Sequence, residues 1–179
     1  MSRAQALCHL WTHSLQTPKR KQEIVDQGAL QAAVSSCNPS QSMTDRAPGI
    51  GLIHSIALDP ELCETVVSAR AIAVALDLCA SSSLTAQAAA VGTLARLAEH
   101  PDTRKRVIRD IVAYGWTSIL DLIRAGASRV EAKADGAKVL AICAQHGEGN
   151  QASVDAVRAD LGANTLALDY LLDLSLIHI

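Results

Sequence analysis

The sequence predicts an all-α fold built from repeated groups of helices, and three observations support this prediction. Of 179 residues, 31 are Ala and 22 are Leu, whereas Phe is absent and there are only two Trp and two Tyr. Ala and Leu lose little side-chain freedom in a helix, while strands favour β-branched and aromatic residues. Apolar residues recur at helical spacing, and segments repeat at intervals of about 41 to 46 residues.

The repeat is clearest in an Ala-rich segment. Residues 94–100, Leu-Ala-Arg-Leu-Ala-Glu-His, match residues 140–146, Leu-Ala-Ile-Cys-Ala-Gln-His, after a shift of 46 positions. A shift of 41 positions places Pro101 on Pro60. Units of this length bury their apolar faces only against neighbouring units, so the repeat predicts an elongated helical solenoid.

Each unit divides into three helical pieces. The first is short and polar, the second is apolar, and the third is the longest and richest in Ala. Gly28 and Gly115 stand between first and second helices, where glycine permits a sharp turn. First helices are predicted at 19–27, 60–69, 102–114 and 152–161, and third helices at 3–15, 50–58, 84–100 and 130–145.

Two local signals refine these boundaries. Asp59-Pro60-Glu61 is typical of a helix start, because Asp accepts capping hydrogen bonds and Pro at the first position needs no donor. The stretch 35–49 is rich in Ser, Asn, Pro and Gly, and it is predicted to be a loop.

The chain resembles the armadillo repeat family. Residues 24–30, Ile-Val-Asp-Gln-Gly-Ala-Leu, match the junction between first and second helices in that family, and residues 88–98 match its third helix. The resemblance implies a right-handed superhelix of three-helix repeats that acts as a non-enzymatic protein-interaction scaffold. The related HEAT repeat, with two helices per unit, remains the main alternative.

Under this resemblance, the chain is expected to be a fragment of a longer solenoid, or a partner is expected to cover its apolar end. Complete repeats are expected near 18–58, 59–100 and 101–147, with partial repeats at 1–17 and 148–174. The last five residues, 175–179, fit no repeat position and are expected not to be native to the domain.

Composition and charge narrow the classes of function. The formal net charge of −2 and the four aromatic residues argue against a nucleic-acid platform. No signal peptide and no run of 18 apolar residues is found, and the five Cys show no close pairing. A cytoplasmic or nuclear protein that does not associate with membranes is therefore expected.

The sequence offers little chemistry for catalysis or metal binding. His9 and His13 have the spacing of a metal pair beside Cys8, but a zinc site usually needs three or four ligands. We expect Cys8 to be a core residue beside surface histidines. Cys143 stands three residues before His146, yet it occupies the apolar position that Leu97 has one repeat earlier, which favours packing. No enzyme activity, cofactor or metal is expected.

Two basic runs, at 19–21 and 104–106, recur at similar places in their units. A phosphate-binding stripe is conceivable, but the intervening unit carries Glu61 and Glu64 there. The alternative is that first helices are simply charged on their exposed side.

The armadillo resemblance also implies a binding surface, since third helices in that family line a concave groove for a peptide or a helix. Nuclear-import adaptors of the family place a Trp, and four residues later an Asn, on successive third helices. None of the corresponding positions here carries those residues, which disfavours a receptor for basic localisation signals. The predicted partner-binding residues are Gln5, His9, Ser55, Arg96 and Lys138.

Arg96 and Lys138 make this groove slightly basic, so the predicted partner is a peptide or helix, and an acidic one would suit these cations. The alternative is that these side chains are only solvated and that the binding surface lies in repeats outside this sequence. Two alternatives for the function of the chain also remain open. One is a HEAT-like or chaperone-type solenoid. The other is a regulatory domain of a larger enzyme, such as a ubiquitin ligase or a kinase, whose catalytic part lies elsewhere.

Overall fold

A computed structural model describes residues 2–125 and 129–146, together with the isolated positions 155 and 159. Within this part of the chain all regular structure is helical, as the composition predicts. The α-helices are α1 (Arg3–Ser14), α2 (Pro18–Asp26), α3 (Ala29–Ser36), α4 (Met43–Ala57), α5 (Cys63–Ser68), α6 (Ala71–Cys79), α7 (Leu84–Glu99), α8 (Pro101–Tyr114), α9 (Trp116–Arg124) and α10 (Val130–His146).

Four of the helices form one continuous layer. Helices α1, α4, α7 and α10 pack side by side in chain order, and α3, α6 and α9 pack against α4, α7 and α10 respectively. Helices α2, α5 and α8 precede α3, α6 and α9 in the chain. Fully buried Ile and Leu side chains on α4, α6, α7, α8 and α9 form a single core that runs through the layers. Each set of helices therefore buries its apolar side against the next, as expected for a solenoid.

Small residues let the long helices approach closely. In α7 the Ala residues 86, 89, 90, 95 and 98 are all buried. Larger side chains at these positions would hold α4, α7 and α10 farther apart, because protein interiors are close-packed. The Ala-rich third helix of the sequence pattern is thus the central layer of the fold.

The predicted loop at 35–49 is wrong in extent. Helix α3 continues to Ser36 and α4 already begins at Met43, with Pro48 inside the helix. Pro lacks the backbone donor of that turn, which normally disfavours a helix interior. The lost hydrogen bond is compensated by the burial of Pro48, Gly49 and Ile50, because α4 packs on α3. A β-carbon at Gly49 would collide with the Ser36 hydroxyl and lie 2.9 Å from the Cys37 sulfur.

The predicted helix start at residue 60 is confirmed, although its geometry is tighter than an α-helix. The Asp59 carboxylate accepts a hydrogen bond from the Glu61 amide at 3.2 Å. Pro60–Leu62 then forms a 3₁₀ turn that leads into α5.

The two glycines predicted at helix junctions act differently. Gly28 has a φ of +80°, so its role is conformational, and Arg70 takes the same left-handed conformation before α6. Gly115 has an ordinary negative φ, and it is required for space, because a β-carbon there would collide with the Leu76 side chain.

The predicted partial repeat at 148–174, the helix at 152–161 and the tail at 175–179 lie outside the described residues, apart from positions 155 and 159. In the described part of the chain, no helix has the length and apolar character needed to cross a membrane.

Candidate functional site

The exposed side chains of α1, α4, α7 and α10 form one surface, which we call the third-helix face. Among the predicted site residues, Gln5 and His9 are exposed on α1, Arg96 is exposed on α7, and Lys138 is half-buried on α10. These four side chains are therefore accessible on the elements that the sequence pattern assigned to them. The fifth predicted residue, Ser55, is not accessible.

Ser55 is fully buried between α1 and α4 and presents nothing to a partner. Its hydroxyl oxygen lies 2.7 Å from the hydroxyl oxygen of Ser14, which is also fully buried. The inclusion of Ser55 in the binding surface is therefore wrong. The repeat position of Ser55 predicts exposure, but α1 packs so closely on α4 that the Ser55 hydroxyl bonds across the interface between the two helices.

The α1–α4 half of the face is closed by an aromatic ring. A β-carbon at Gly51 would lie 2.7–2.8 Å from three ring carbons of Trp11. The Trp11 ring thus packs directly on the backbone of α4 and fills the space that a side chain at position 51 would occupy. The absence of a side chain at Gly51 serves packing between helices rather than an open groove.

Two titratable side chains meet over a second glycine on the α4–α7–α10 half. A β-carbon at Gly92 would lie 2.8 Å from His54 Cε1 and 3.3 Å from Asp135 Oδ2. The Nδ1 atom of His54 is buried and has no hydrogen-bond partner among the described residues. Burial, followed by the charges of Arg96 and Lys21, lowers the pKa of His54 to about 4. His54 is therefore neutral at physiological pH.

Asp135 is the acidic member of this pair. Burial raises the pKa of its carboxyl group, against the opposing charges of Lys138 and Arg96. Desolvation disfavours the charged form of a carboxylate, so a half-buried Asp is costly to keep ionised.

The main electrostatic feature of the face is a carboxylate shared by two cations. Glu99 accepts from Arg96 Nη1 at 3.0 Å through one oxygen and from Lys138 Nζ at 2.9 Å through the other. Arg96 and Glu99 lie on α7, whereas Lys138 lies on the neighbouring helix α10. The two predicted cations therefore converge on one carboxylate-sized position. All three side chains are partly exposed, so each ion pair contributes little to stability.

A cleft of about 310 Å³ adjoins this triad where α4 and α7 end. Its lining combines apolar and polar groups. The lining residues are Ala57, Leu58, Pro60, Cys63, Arg96, Glu99, His100 and Pro101. The cleft extends the accessible surface from the ion pairs onto apolar side chains, which suits contact with an amphipathic partner.

The other chemical candidates take structural roles. The Arg104 guanidinium donates to the carbonyl oxygens of Ala98 at 3.0 Å and Glu99 at 2.8 Å, so it caps the end of α7. Cys143 is fully buried, as predicted, and burial raises its pKa to about 12. The prediction that Cys8 is a core residue is wrong: Cys8 is exposed and Leu7 is buried in its place. No cluster of metal-ligating side chains occurs within the described ranges.

Sequence reasoning missed Glu99, His54 and Asp135. Glu99 lies three residues after Arg96, a spacing typical of helical ion pairs, and that signal was available. The convergence of His54 and Asp135 had no sequence signal, because it depends on how α4 and α10 flank the glycine of α7.

Comparison with solved structures identifies the type of fold. The chain matches a designed armadillo repeat protein with a TM-score of 0.74 at 16% identity, covering 93% of this chain and 71% of that one. A designed armadillo repeat protein in complex with the peptide (KR)4 matches with a TM-score of 0.72 at 17% identity, covering 93% and 74%. An engineered protein matches with a TM-score of 0.67 at 21% identity, covering 89% and 62%. This chain therefore spans less than two thirds of that engineered protein.

The protein thus has an armadillo-like repeat fold, as the resemblance in its sequence implied. At these levels of identity, the likeness is one of fold. No protein-family model and no curated protein matches the sequence.

Proposed function

We propose that the protein is a non-enzymatic scaffold that binds an acidic peptide or helix on its third-helix face. The observation that supports this most directly is the convergence of Arg96 and Lys138 on one carboxylate, that of Glu99. Two cations from neighbouring helices hold a carboxylate between them, and a carboxylate of a partner would fit the same position. Charge-assisted hydrogen bonds of this kind combine orientation with specificity.

The fold supports the proposal by analogy. A designed armadillo repeat protein of the same fold binds the peptide (KR)4, so the architecture accepts peptides. That peptide is basic, whereas the partner proposed here is acidic. The difference is consistent with binding properties that reside in the side chains rather than in the fold.

Glu99 acts as an internal competitor in this proposal. A carboxylate of the partner must displace the Glu99 side chain from Arg96 and Lys138 before it can take its place. The cost is small, because exposed ion pairs are weak and screened by salt. The adjoining cleft then offers Leu58 and Pro60 for apolar contact.

The alternative functions considered from the sequence could use the same third-helix face. A HEAT-like or chaperone-type scaffold, or a regulatory domain of a larger enzyme, would also bind its partner through surface side chains. The proposed location is the cytoplasm or the nucleus, which suits a protein with several free thiols.

The proposal is tested by calorimetric titration of the full chain with two peptides, (DE)4 and (KR)4. We expect measurable binding of (DE)4, weaker binding of (KR)4, and a loss of (DE)4 affinity as salt is raised. Stronger binding of (KR)4 than of (DE)4 would reject the acidic partner. Absence of binding to both peptides would contradict a peptide site of this chemistry.

Three variants locate the site. The double variant Arg96→Glu/Lys138→Glu should weaken (DE)4 by at least about fivefold, because attraction becomes repulsion at both positions. Glu99→Gln should tighten (DE)4 by about two- to fivefold, since the internal competitor is removed. Arg124→Glu is the matched control, because Arg124 is an exposed arginine on α9, away from the third-helix face. An equal loss in the control would place the site elsewhere.

A further inference from the structure

A second surface lies on α6, α8 and α9, away from the third-helix face. It is a cleft of about 530 Å³. Its floor is apolar, and its rim carries two carboxylates and an aromatic ring. The lining residues are Ile72, Ala73, Leu76, Asp77, Ala80, Asp110, Tyr114 and Ser118.

Tyr114 makes this cleft unlike ordinary surface. Its side chain is 84% exposed, which is the highest exposure of any large apolar or aromatic side chain in the described part of the chain. Aromatic residues usually bury much of their area in the core, so an exposed ring beside a cavity indicates a place for contact. Tyr114 is the last residue of α8, and its ring stands at the edge of the cleft.

The charged side chains that line the cleft are all acidic. Asp77 on α6 and Asp110 on α8 contribute carboxylates, and no lysine or arginine belongs to the described lining. Helices α6 and α8 also end beside it, at Cys79 and Tyr114. The carboxyl end of a helix carries a partial negative charge that favours cations.

Each carboxylate has a neighbouring arginine outside the cleft. Asp77 pairs with Arg46, whose side chain is mostly buried, and this pair links α6 to α4. Asp110 pairs with Arg109 at 3.0 Å, but the Arg109 side chain is largely exposed and adjacent in sequence. Arg109 is therefore an easily displaced partner, whereas Arg46 is a fixed part of the structure.

We propose that this cleft binds an arginine side chain of a partner protein. Its guanidinium would stack on the Tyr114 ring and donate to the Asp110 carboxylate, while its methylene groups would lie on Leu76 and Ile72. A planar guanidinium is suited to both contacts, because it stacks on aromatic faces and bonds carboxylates through a fixed fork. The proposal does not depend on the function proposed for the third-helix face, because the two surfaces share no residue.

The experiment uses the full chain labelled with 3-fluorotyrosine and observed by fluorine NMR. The chain contains two tyrosines, Tyr114 and Tyr170, so the Tyr114 signal is assigned with the variant Tyr114→Phe. The probes are the peptides acetyl-Leu-Arg-Leu-amide and acetyl-Leu-citrulline-Leu-amide, which differ in charge but hardly in shape. We expect the arginine peptide to shift the Tyr114 signal saturably, and the citrulline peptide to bind about two- to fivefold more weakly.

Two variants give opposite expected results. Asp110→Asn should weaken the arginine peptide, because the acceptor charge is lost. Arg109→Ala should strengthen it, because the internal competitor for Asp110 is removed. Both positions are on the surface of α8, and circular dichroism of each variant checks that the helices are retained.

Three results would overturn the proposal. They are the absence of a saturable shift, equal binding of the arginine and citrulline peptides, and unchanged binding in Asp110→Asn. General electrostatic attraction to the chain would change binding with the same two signs, so Asp26→Asn, at an exposed carboxylate on α2 outside the cleft lining, is the matched control and should leave binding unchanged. A loss in this control equal to that in Asp110→Asn would also overturn the proposal.

Discussion

In both halves of the third-helix face, a glycine leaves space for a side chain of a neighbouring helix. The two halves differ in whether their buried polar groups are hydrogen-bonded. At the α1–α4 interface, Gly51 receives the Trp11 ring, and the buried hydroxyls of Ser14 and Ser55 bond to each other. At the α4–α7–α10 interface, Gly92 receives His54 and Asp135. In the first half, which we call the sealed half, the Trp11 ring fills the space over Gly51 and the two buried hydroxyls are hydrogen-bonded. In the second half, the buried Nδ1 atom of His54 has no hydrogen-bond partner within the described residues.

The two halves differ in whether their buried polar atoms have hydrogen-bond partners. A buried polar atom without a hydrogen bond costs free energy and calls for an explanation, which the binding proposed for the half around Gly92 would supply. The sealed half stabilises the solenoid, whereas the half around Gly92 carries the polar groups and the ion pairs of Glu99. Variants in the sealed half should therefore change the stability of the fold, whereas variants around Gly92 should change peptide binding.

The largest expected effect concerns His54 and pH. Its pKa in the folded protein is about 4, below the ordinary value of 6.5, chiefly because burial disfavours the charged ring. Between these pH values the unfolded chain binds a proton that the folded chain does not, so acid favours unfolding. The wild type should therefore lose up to about 3 kcal/mol relative to His54→Gln as pH falls from 7 to 4.

Urea unfolding of both proteins at several pH values measures this effect. Comparison with the variant removes the contribution of the carboxylates, which titrate in both proteins. His9→Gln is a matched control, because His9 is exposed on α1 and should leave the pH dependence as in the wild type. Parallel stability curves for wild type and His54→Gln would show that His54 is not buried in its neutral form.

The next prediction compares the two glycines directly. In Gly51→Ala, the new β-carbon would meet three ring atoms of Trp11 at 2.7–2.8 Å, so a large packed ring must move. We expect a loss of about 2 kcal/mol, since overpacking exceeds the gain in helix propensity. In Gly92→Ala, the only contact under 3 Å is with the tip of His54. The propensity gain of about 1 kcal/mol should offset most of that strain.

Denaturant midpoints for the two variants decide this comparison. A greater loss in Gly92→Ala than in Gly51→Ala would mean that the polar half is the more rigidly packed one. Titration with (DE)4 compares the effect of the same two variants on peptide affinity. Gly92→Ala should change this affinity because it displaces His54 beside Arg96, whereas Gly51→Ala should leave that region intact.

The sequence predicted those features that depend on local pattern. Repeat spacing and the Ala-rich segments predicted the order of helices, and Asp59-Pro60-Glu61 predicted a helix start. The extent of α4 was mispredicted because Pro48 and Gly49 favour loops locally, whereas packing on α3 stabilises the helix.

The site was predicted only in part, for a related reason. Arg96 and Lys138 could be found from their place in the repeat, but the burial of Ser55 depends on the distance between α1 and α4. The meeting of His54 and Asp135 involves residues 81 positions apart on two helices that flank a third. Pattern within one repeat cannot show contacts that arise between repeats.

The smallest expected effect tests whether the hydrogen bond between two buried hydroxyl groups stabilises the α1–α4 interface. Ser14 Oγ lies 2.6 Å from the Trp11 carbonyl oxygen and 2.7 Å from Ser55 Oγ, and both serines are fully buried. Ser14→Ala leaves the Ser55 hydroxyl without this partner and should cost about 1 kcal/mol.

The double variant Ser14→Ala/Ser55→Ala should recover part of that loss, because no buried hydroxyl is then left unsatisfied. Unfolding of the two single variants and the double variant gives the coupling energy. Additive losses would mean that the hydroxyls act independently. Because neither serine is accessible, (DE)4 affinity should be unchanged in all three variants. A change in affinity would mean that the α1–α4 half also contributes to peptide binding, which contradicts the contrast between the two halves.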